Sequence, residues 1–112
     1  MFTRILIVIS LQAAIGFLVL PKIIAGDIDA QGLYKKHCVT CHGNDGTGKT
    51  DLGVGLGARN FTDKEFQDSI TDEQIVEQIE NGTKEKMFPF KDKLTPEEMK
   101  ALVPVIRAFG GR

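Results

Sequence analysis

Residues 27 to 112 of this sequence predict a small all-α domain, and three observations point that way. Apolar residues in the stretch never alternate with polar ones at the period of two that a half-buried strand requires. Three Thr-x-x-Glu/Gln patterns, Thr62 to Glu65, Thr71 to Gln74 and Thr95 to Glu98, instead have the form of a helix-opening capping box, and each is bracketed by an apolar pair: Phe61 with Phe66, Ile70 with Ile75, Leu94 with Met99. Met99, Leu102, Val103, Ile106 and Phe109 then fall on one face at helical spacing.

The N-terminal segment stands apart from that domain. Arg4 precedes an apolar run from Ile5 to Leu20, Pro21 ends it, and small residues follow at Ala25 and Gly26. This is the order of a secretory signal, so residues 1–26 are expected to be a signal peptide and residues 27–112 the exported domain, placed in the periplasm. The run is shorter than the roughly 20 apolar residues of a bilayer-spanning helix. Membrane association is expected only if this segment is retained.

Without Arg4 and Lys22, 12 basic side chains face 15 acidic ones, a net charge of −3. No basic face of the kind that binds nucleic acid is expected. A domain of this size without Trp has little apolar volume, and such domains are commonly held by a disulfide, a metal or a large apolar cofactor.

A first helix is predicted over Gln31 to His37, with Gly32 open to close approach by another helix and Tyr34 one turn before Cys38. It runs into Cys38-Val39-Thr40-Cys41-His42, and Cys-x-x-Cys-His is the attachment signature of c-type haem. Each thiol adds across one vinyl group, two intervening residues let both sulfurs reach one porphyrin edge, and His42 follows where its imidazole can bind iron. Zinc is excluded by crowding, since His37, Cys38, Cys41 and His42 lie in one hexapeptide and cannot surround a tetrahedral ion. A thioredoxin-like dithiol lacks its βαβ setting. A disulfide here closes too short a loop to stabilise much and leaves His42 unexplained.

Gly43 to Thr50 matches the phosphate-loop pattern Gly-x-x-x-x-Gly-Lys-Thr, but it leaves a haem motif rather than a strand. The following Asp51 to Gly57, with alternating glycines, is a poor helix by propensity and is expected to be a loop along the haem. Beyond it, Asn81-Gly82 stops the Thr71 helix, Pro96 suits the first turn of the last helix, and Pro104 is expected to interrupt and bend that helix.

Across this whole domain the sequence resembles the small bacterial class I c-type cytochromes. The likeness rests on Gly32 and Tyr34 before Cys38-Val39-Thr40-Cys41-His42-Gly43, on Gly46-Thr47-Gly48-Lys49, on Asn81-Gly82, and on Lys86-Met87-Phe88-Pro89-Phe90 before the final helix. It implies about four helices wrapped around one covalently bound haem c, the first and last crossing near Gly32, with His42 as proximal and Met87 as distal iron ligand. Two positions depart from the family pattern: Val105, preceded by Pro104, stands where an aromatic is usual, and the proline after the ligand methionine is displaced by one.

Met87 competes only with Met99 for the distal place, since Met1 leaves with the signal. Met99 belongs to an apolar helix face, where methionine packs. Met87 lies between helices beside Phe88 and Phe90, which are expected to shield a thioether presented to iron. A His/Met pair fills the coordination shell and favours electron transfer between a redox donor and a redox acceptor over catalysis, so no enzyme activity is expected. The alternative, a gas-binding or peroxidatic haem protein, needs an open iron site and a distal acid or base. His37 is expected at the surface, Arg59 or Asn60 near a haem propionate, and the four lysines from Lys84 to Lys93 on a docking rim.

Overall fold

A computed structural model of the protein describes residues 27–112 together with Gly16, so the expected signal segment lies otherwise outside the described residues. Six helices follow in order: α1 (Ala30–His37), α2 (Val39–His42), α3 (Asp51–Leu56), α4 (Lys64–Ser69), α5 (Asp72–Asn81) and α6 (Pro96–Phe109). Among the described residues the sole strand-like pairing is an isolated bridge between Thr83 and Met87.

Two of the three capping boxes form. Thr71 accepts from the Gln74 amide at 3.1 Å while Gln74 accepts from the Thr71 amide at 2.9 Å, and Thr95 with Glu98 repeats the arrangement at 3.1 and 3.0 Å. The third does not. Asp63 caps α4 by accepting from Glu65 N at 3.0 Å, and the Thr62 hydroxyl donates instead to Asn60 Oδ1 at 2.6 Å. Asn60 offers Thr62 a nearby acceptor and Asp is the stronger cap, so the start moves one residue on.

The glycine-rich segment is also not a loop, because Asp51–Leu56 is helical. Tertiary packing overrides propensity here. Gly53 lies where an added Cβ would run into the carbonyls of Cys41 and Gly48, so α3 rests directly on the backbone of α2. Helix α6 likewise runs through Pro104 without interruption. Pro104 and Lys100 are both exposed, so the Lys100 carbonyl that loses its partner faces water.

Helix α6 packs against α1 and α5 and supplies Met99, Leu102, Val103, Val105 and Ile106 to a core shared with Tyr34, Ile75, Ile79 and Leu94. At Gly32 the nearest atoms to an added Cβ are those of the Asp29 carboxylate, which caps α1 by accepting from Gly32 N. Gly32 thus also serves the cap of α1, while α1 and α6 pack together as expected. The missing aromatic of the last helix is supplied one turn beyond Val105: Phe109 packs 5.2 Å from Tyr34 and covers Gly46.

The fully buried Gln67 joins α4 to α6, its amide nitrogen donating to Phe61 O at 2.7 Å and Ile106 O at 3.0 Å. Arg107 closes the same joint, donating to Gln67 O, Gln67 Oε1, Ile70 O and Asp72 Oδ1. Leaving one such buried group unpaired costs about 1–3 kcal/mol.

Candidate functional site

The Cys-x-x-Cys-His segment is a single turn of helix, α2, following α1 across Cys38. Its end is fixed from three directions. Tyr34 Oη donates to Gly43 O at 2.7 Å, and the buried phenol is held well above its usual pKa, chiefly by desolvation. The Thr50 hydroxyl lies 2.7 Å from Thr40 O and 3.0 Å from Cys41 O, while its oxygen accepts from Gly53 N at 2.8 Å. Gly48 N donates to His42 O at 2.8 Å.

That last bond also settles the phosphate-loop likeness. Gly46 N, Thr47 N, Gly48 N and Lys49 N are all committed to acceptors inside the loop or in α2. Helix α3 does open after Thr50, but the chain enters the loop from a helix, and its amides brace the cysteine turn.

His42 is buried, and its ring stacks on Phe61 with centroids 4.2 Å apart and planes 14° from parallel. Its Nδ1 lies 3.1 Å from the Arg59 carbonyl, which can only accept, so the proton sits on Nδ1 and the lone pair on Nε2. Burial lowers the pKa of the ring, with the Arg59 bond a smaller opposing effect, so it is held neutral, as a metal ligand must be. Cys38 and Cys41 are both half-buried and form no disulfide. Burial, and then the charge of Cys41, push Cys38 up to about 11.

Met87 comes from a separate segment that follows α5. Thr83 and Met87 exchange both backbone hydrogen bonds at 2.9 Å, closing a hairpin in which Glu85 takes φ 64°. Gly82 leads into it at φ 63°, where a Cβ would meet Met87 O and the Phe88–Pro89 backbone. The chain then fastens to the end of α5 through Phe90 N to Ile79 O and Lys91 N to Glu80 O. Gln78 Nε2 donates to Thr83 Oγ1 at 2.8 Å and lies 3.4 Å from Met87 Sδ. Phe90 is buried, but Phe88 is 72% exposed and does not shield the sulfur as expected. Met99, the rival methionine, is 3% exposed in the core.

A cleft of about 670 Å³ is lined by Arg59, Glu65, Phe66, Ile70, Gln74 and Gln78 among others. The carbonyl of Arg59 reaches the His42 ring and the amide of Gln78 reaches the Met87 sulfur, so two residues of the cleft wall each contact one candidate ligand. An imidazole nitrogen, a thioether and two cysteines separated by two residues are the donor set that fits a covalently bound haem. His37 is elsewhere, edge-on to Phe90 at 5.6 Å, with its pKa lowered by burial and by Lys36 and Lys93.

Comparison with known proteins gives the family. The sequence profile of the family described as cytochrome c oxidase, cbb3-type, subunit III matches residues 28–104. The solved structure of the KustC0563 c-type cytochrome is 63% identical and superposes with a TM-score of 0.71, covering 73% of this chain and 98% of that one. The chain is a c-type cytochrome of that family.

Curated relatives include the cbb3-type cytochrome c oxidase subunit FixP of Azorhizobium caulinodans (strain ORS 571), 32% identical, and that of Bradyrhizobium sp. (strain ORS 278), 29% identical, each over 79 residues, or 70% of this chain. The cytochrome spans about a quarter of their length, 26% in both cases. Membership implies haem c, covalently bound, and the all-α fold expected from the sequence is that of the family.

Three contributors escaped the sequence reading. Thr50 was read only as part of the phosphate-loop likeness. The carbonyl of Arg59 has no sequence signal at all. Gln78, three residues after Ile75 and one before Ile79, reads as the polar margin of an amphipathic helix.

Proposed function

We propose that Cys38 and Cys41 hold the haem through two thioethers, that His42 Nε2 and Met87 Sδ are its axial ligands, and that the cytochrome passes single electrons between redox partners in the periplasm. The observation that carries this reading is that two residues lining one cleft each contact a candidate ligand: the Arg59 carbonyl orients His42, and Gln78, together with the hairpin, orients Met87. A filled coordination shell supplies outer-sphere electron transfer with little rearrangement. The chain's own part is to hold the two ligands, exclude water with Phe61 and Phe66, and keep the His42 tautomer fixed. An open-iron chemistry would need a distal acid or base, and His37 is turned onto Phe90 instead.

The names of the FixP relatives support service either as the cytochrome part of a terminal oxidase or as a free carrier feeding one. Residues 1–26 act as the export signal in this reading. Docking falls to the exposed Phe88 and the surrounding Lys84, Lys86, Lys91 and Lys93. Charge steering through these lysines makes the electron-exchange rate depend on ionic strength.

The test is acid-acetone extraction with mass spectrometry, followed by ferric spectra and carbon monoxide titration. The reading expects a mature chain plus one haem that does not extract, a weak far-red thioether band, and negligible carbon monoxide binding. A freely extracted haem refutes the thioethers. Ready binding of carbon monoxide refutes Met87 as sixth ligand.

A further inference from the structure

Gln78 is half-buried on α5, and its amide nitrogen is directed at a thioether, which is a weak acceptor. A glutamine at the margin of a helix can reach water, a better acceptor, so facing sulfur is unfavourable unless the position serves the sulfur. The amide orientation is fixed by its partner: a thioether cannot donate, and turning Oε1 toward Sδ would set two electron-rich atoms against each other. The second donor bond, to Thr83 Oγ1, holds the nitrogen over both ends of the Thr83–Met87 hairpin at once.

We infer that Gln78 is the positioning residue of the sixth ligand, setting both the stereochemistry and the donor strength of the Met87 sulfur. This rests on the reading of Met87 as that ligand. A thioether sulfur has two lone pairs. With the Gln78 N–H on one, the other is left for iron, so a single configuration at sulfur is selected. The same hydrogen bond withdraws electron density from sulfur and weakens its donation to ferric iron more than to ferrous iron. The reduced state is thereby favoured and the reduction potential raised.

The test uses the haem-loaded protein with three substitutions, Gln78→Leu, Thr83→Val and Met87→Ala. Ferric far-red spectra, midpoint potentials and proton NMR of the ferric haem methyls are measured, with thermal melts to verify folding. Gln78→Leu is expected to retain the far-red band, shift the potential downward and replace one set of haem-methyl signals by an averaged or doubled set. Thr83→Val, which leaves the sulfur its donor, is expected to resemble the parent in potential and NMR. A Gln78→Leu protein with the parent's potential and a single methyl pattern overturns the inference. So does a Thr83→Val protein that reproduces the Gln78→Leu changes, because the effect would then come from the hairpin's packing. Met87→Ala separates the two levels: if it keeps the far-red band, the ligand reading fails and this inference with it. If it loses the band while Gln78→Leu changes nothing, only this inference fails.

Discussion

The segments that carry His42 and Met87 are built on different plans. On the histidine side, one contiguous segment carries both cysteines and His42, and the bonds that brace it end largely on backbone carbonyls: Gly43, Thr40, Cys41, His42 and Arg59. On the methionine side, a five-residue hairpin with one non-glycine residue at positive φ, fastened to α5 by backbone bonds from Phe90 and Lys91, presents a single sulfur whose one side-chain hydrogen bond comes from Gln78. Anchoring through many backbone groups makes a ligand insensitive to any one side chain. Anchoring through one side chain makes it adjustable.

The largest test of that contrast is removal of the ligands themselves. His42→Ala is expected to prevent accumulation of stable haem-loaded protein, since it takes out the buried ring stacked on Phe61 together with the proximal nitrogen. Met87→Ala should leave a folded protein with covalent haem that binds carbon monoxide, lacks the far-red band and has a lowered potential. Yields of holoprotein and carbon monoxide difference spectra decide it. Equal damage from both substitutions would erase the contrast. Met99→Leu, nearly volume-conserving in the core, should cost less than about 1.5 kcal/mol and leave the spectrum unchanged.

Two glycines carry the contrast to the backbone. Gly53→Ala forces a Cβ into the Cys41 and Gly48 carbonyls, and Gly82→Ala forces one into the Met87–Pro89 backbone at φ 63°. Each is expected to destabilise by about 1–3 kcal/mol in denaturant titrations. Only Gly82→Ala should also weaken the far-red band, because it shifts the hairpin that holds the sulfur.

Thr50→Val removes the cap of α3 and a hydroxyl shared between two carbonyls of the cysteine turn. A loss of about 1–2 kcal/mol is expected with the spectrum intact. The smallest effect is on the other side. Glu85→Gly relieves a left-handed backbone and should raise stability by at most about 1 kcal/mol, since glycine's extra freedom when unfolded offsets part of the gain. A decrease in melting temperature would mean that the Glu85 side chain contributes to the hairpin.

The histidine side was legible in the sequence because its chemistry is local: thiol spacing and the adjoining imidazole are fixed by covalent neighbours. The same holds for the Thr71 and Thr95 helix starts, whose caps bond three residues away. Local reasoning failed where a competitor or a distant surface decided the outcome. Asn60 drew Thr62 out of its cap, and the packing of α2 made a helix of Asp51–Leu56 against its glycine content. Phe109 took over the aromatic position that Val105 left empty, which nothing in residue spacing announces.

By itself, then, the sequence determined the all-α class and the haem c attachment motif with its adjoining His42, because each is encoded within a few consecutive residues. Only the tertiary structure decided which groups orient the ligands. The Arg59 carbonyl lies 17 residues from the ring it fixes, and Gln78 reaches a sulfur nine residues away across the turn at Gly82. Such contacts depend on how helices and loops pack after they form, and a hydrogen bond between elements leaves no periodic trace in the chain that makes it.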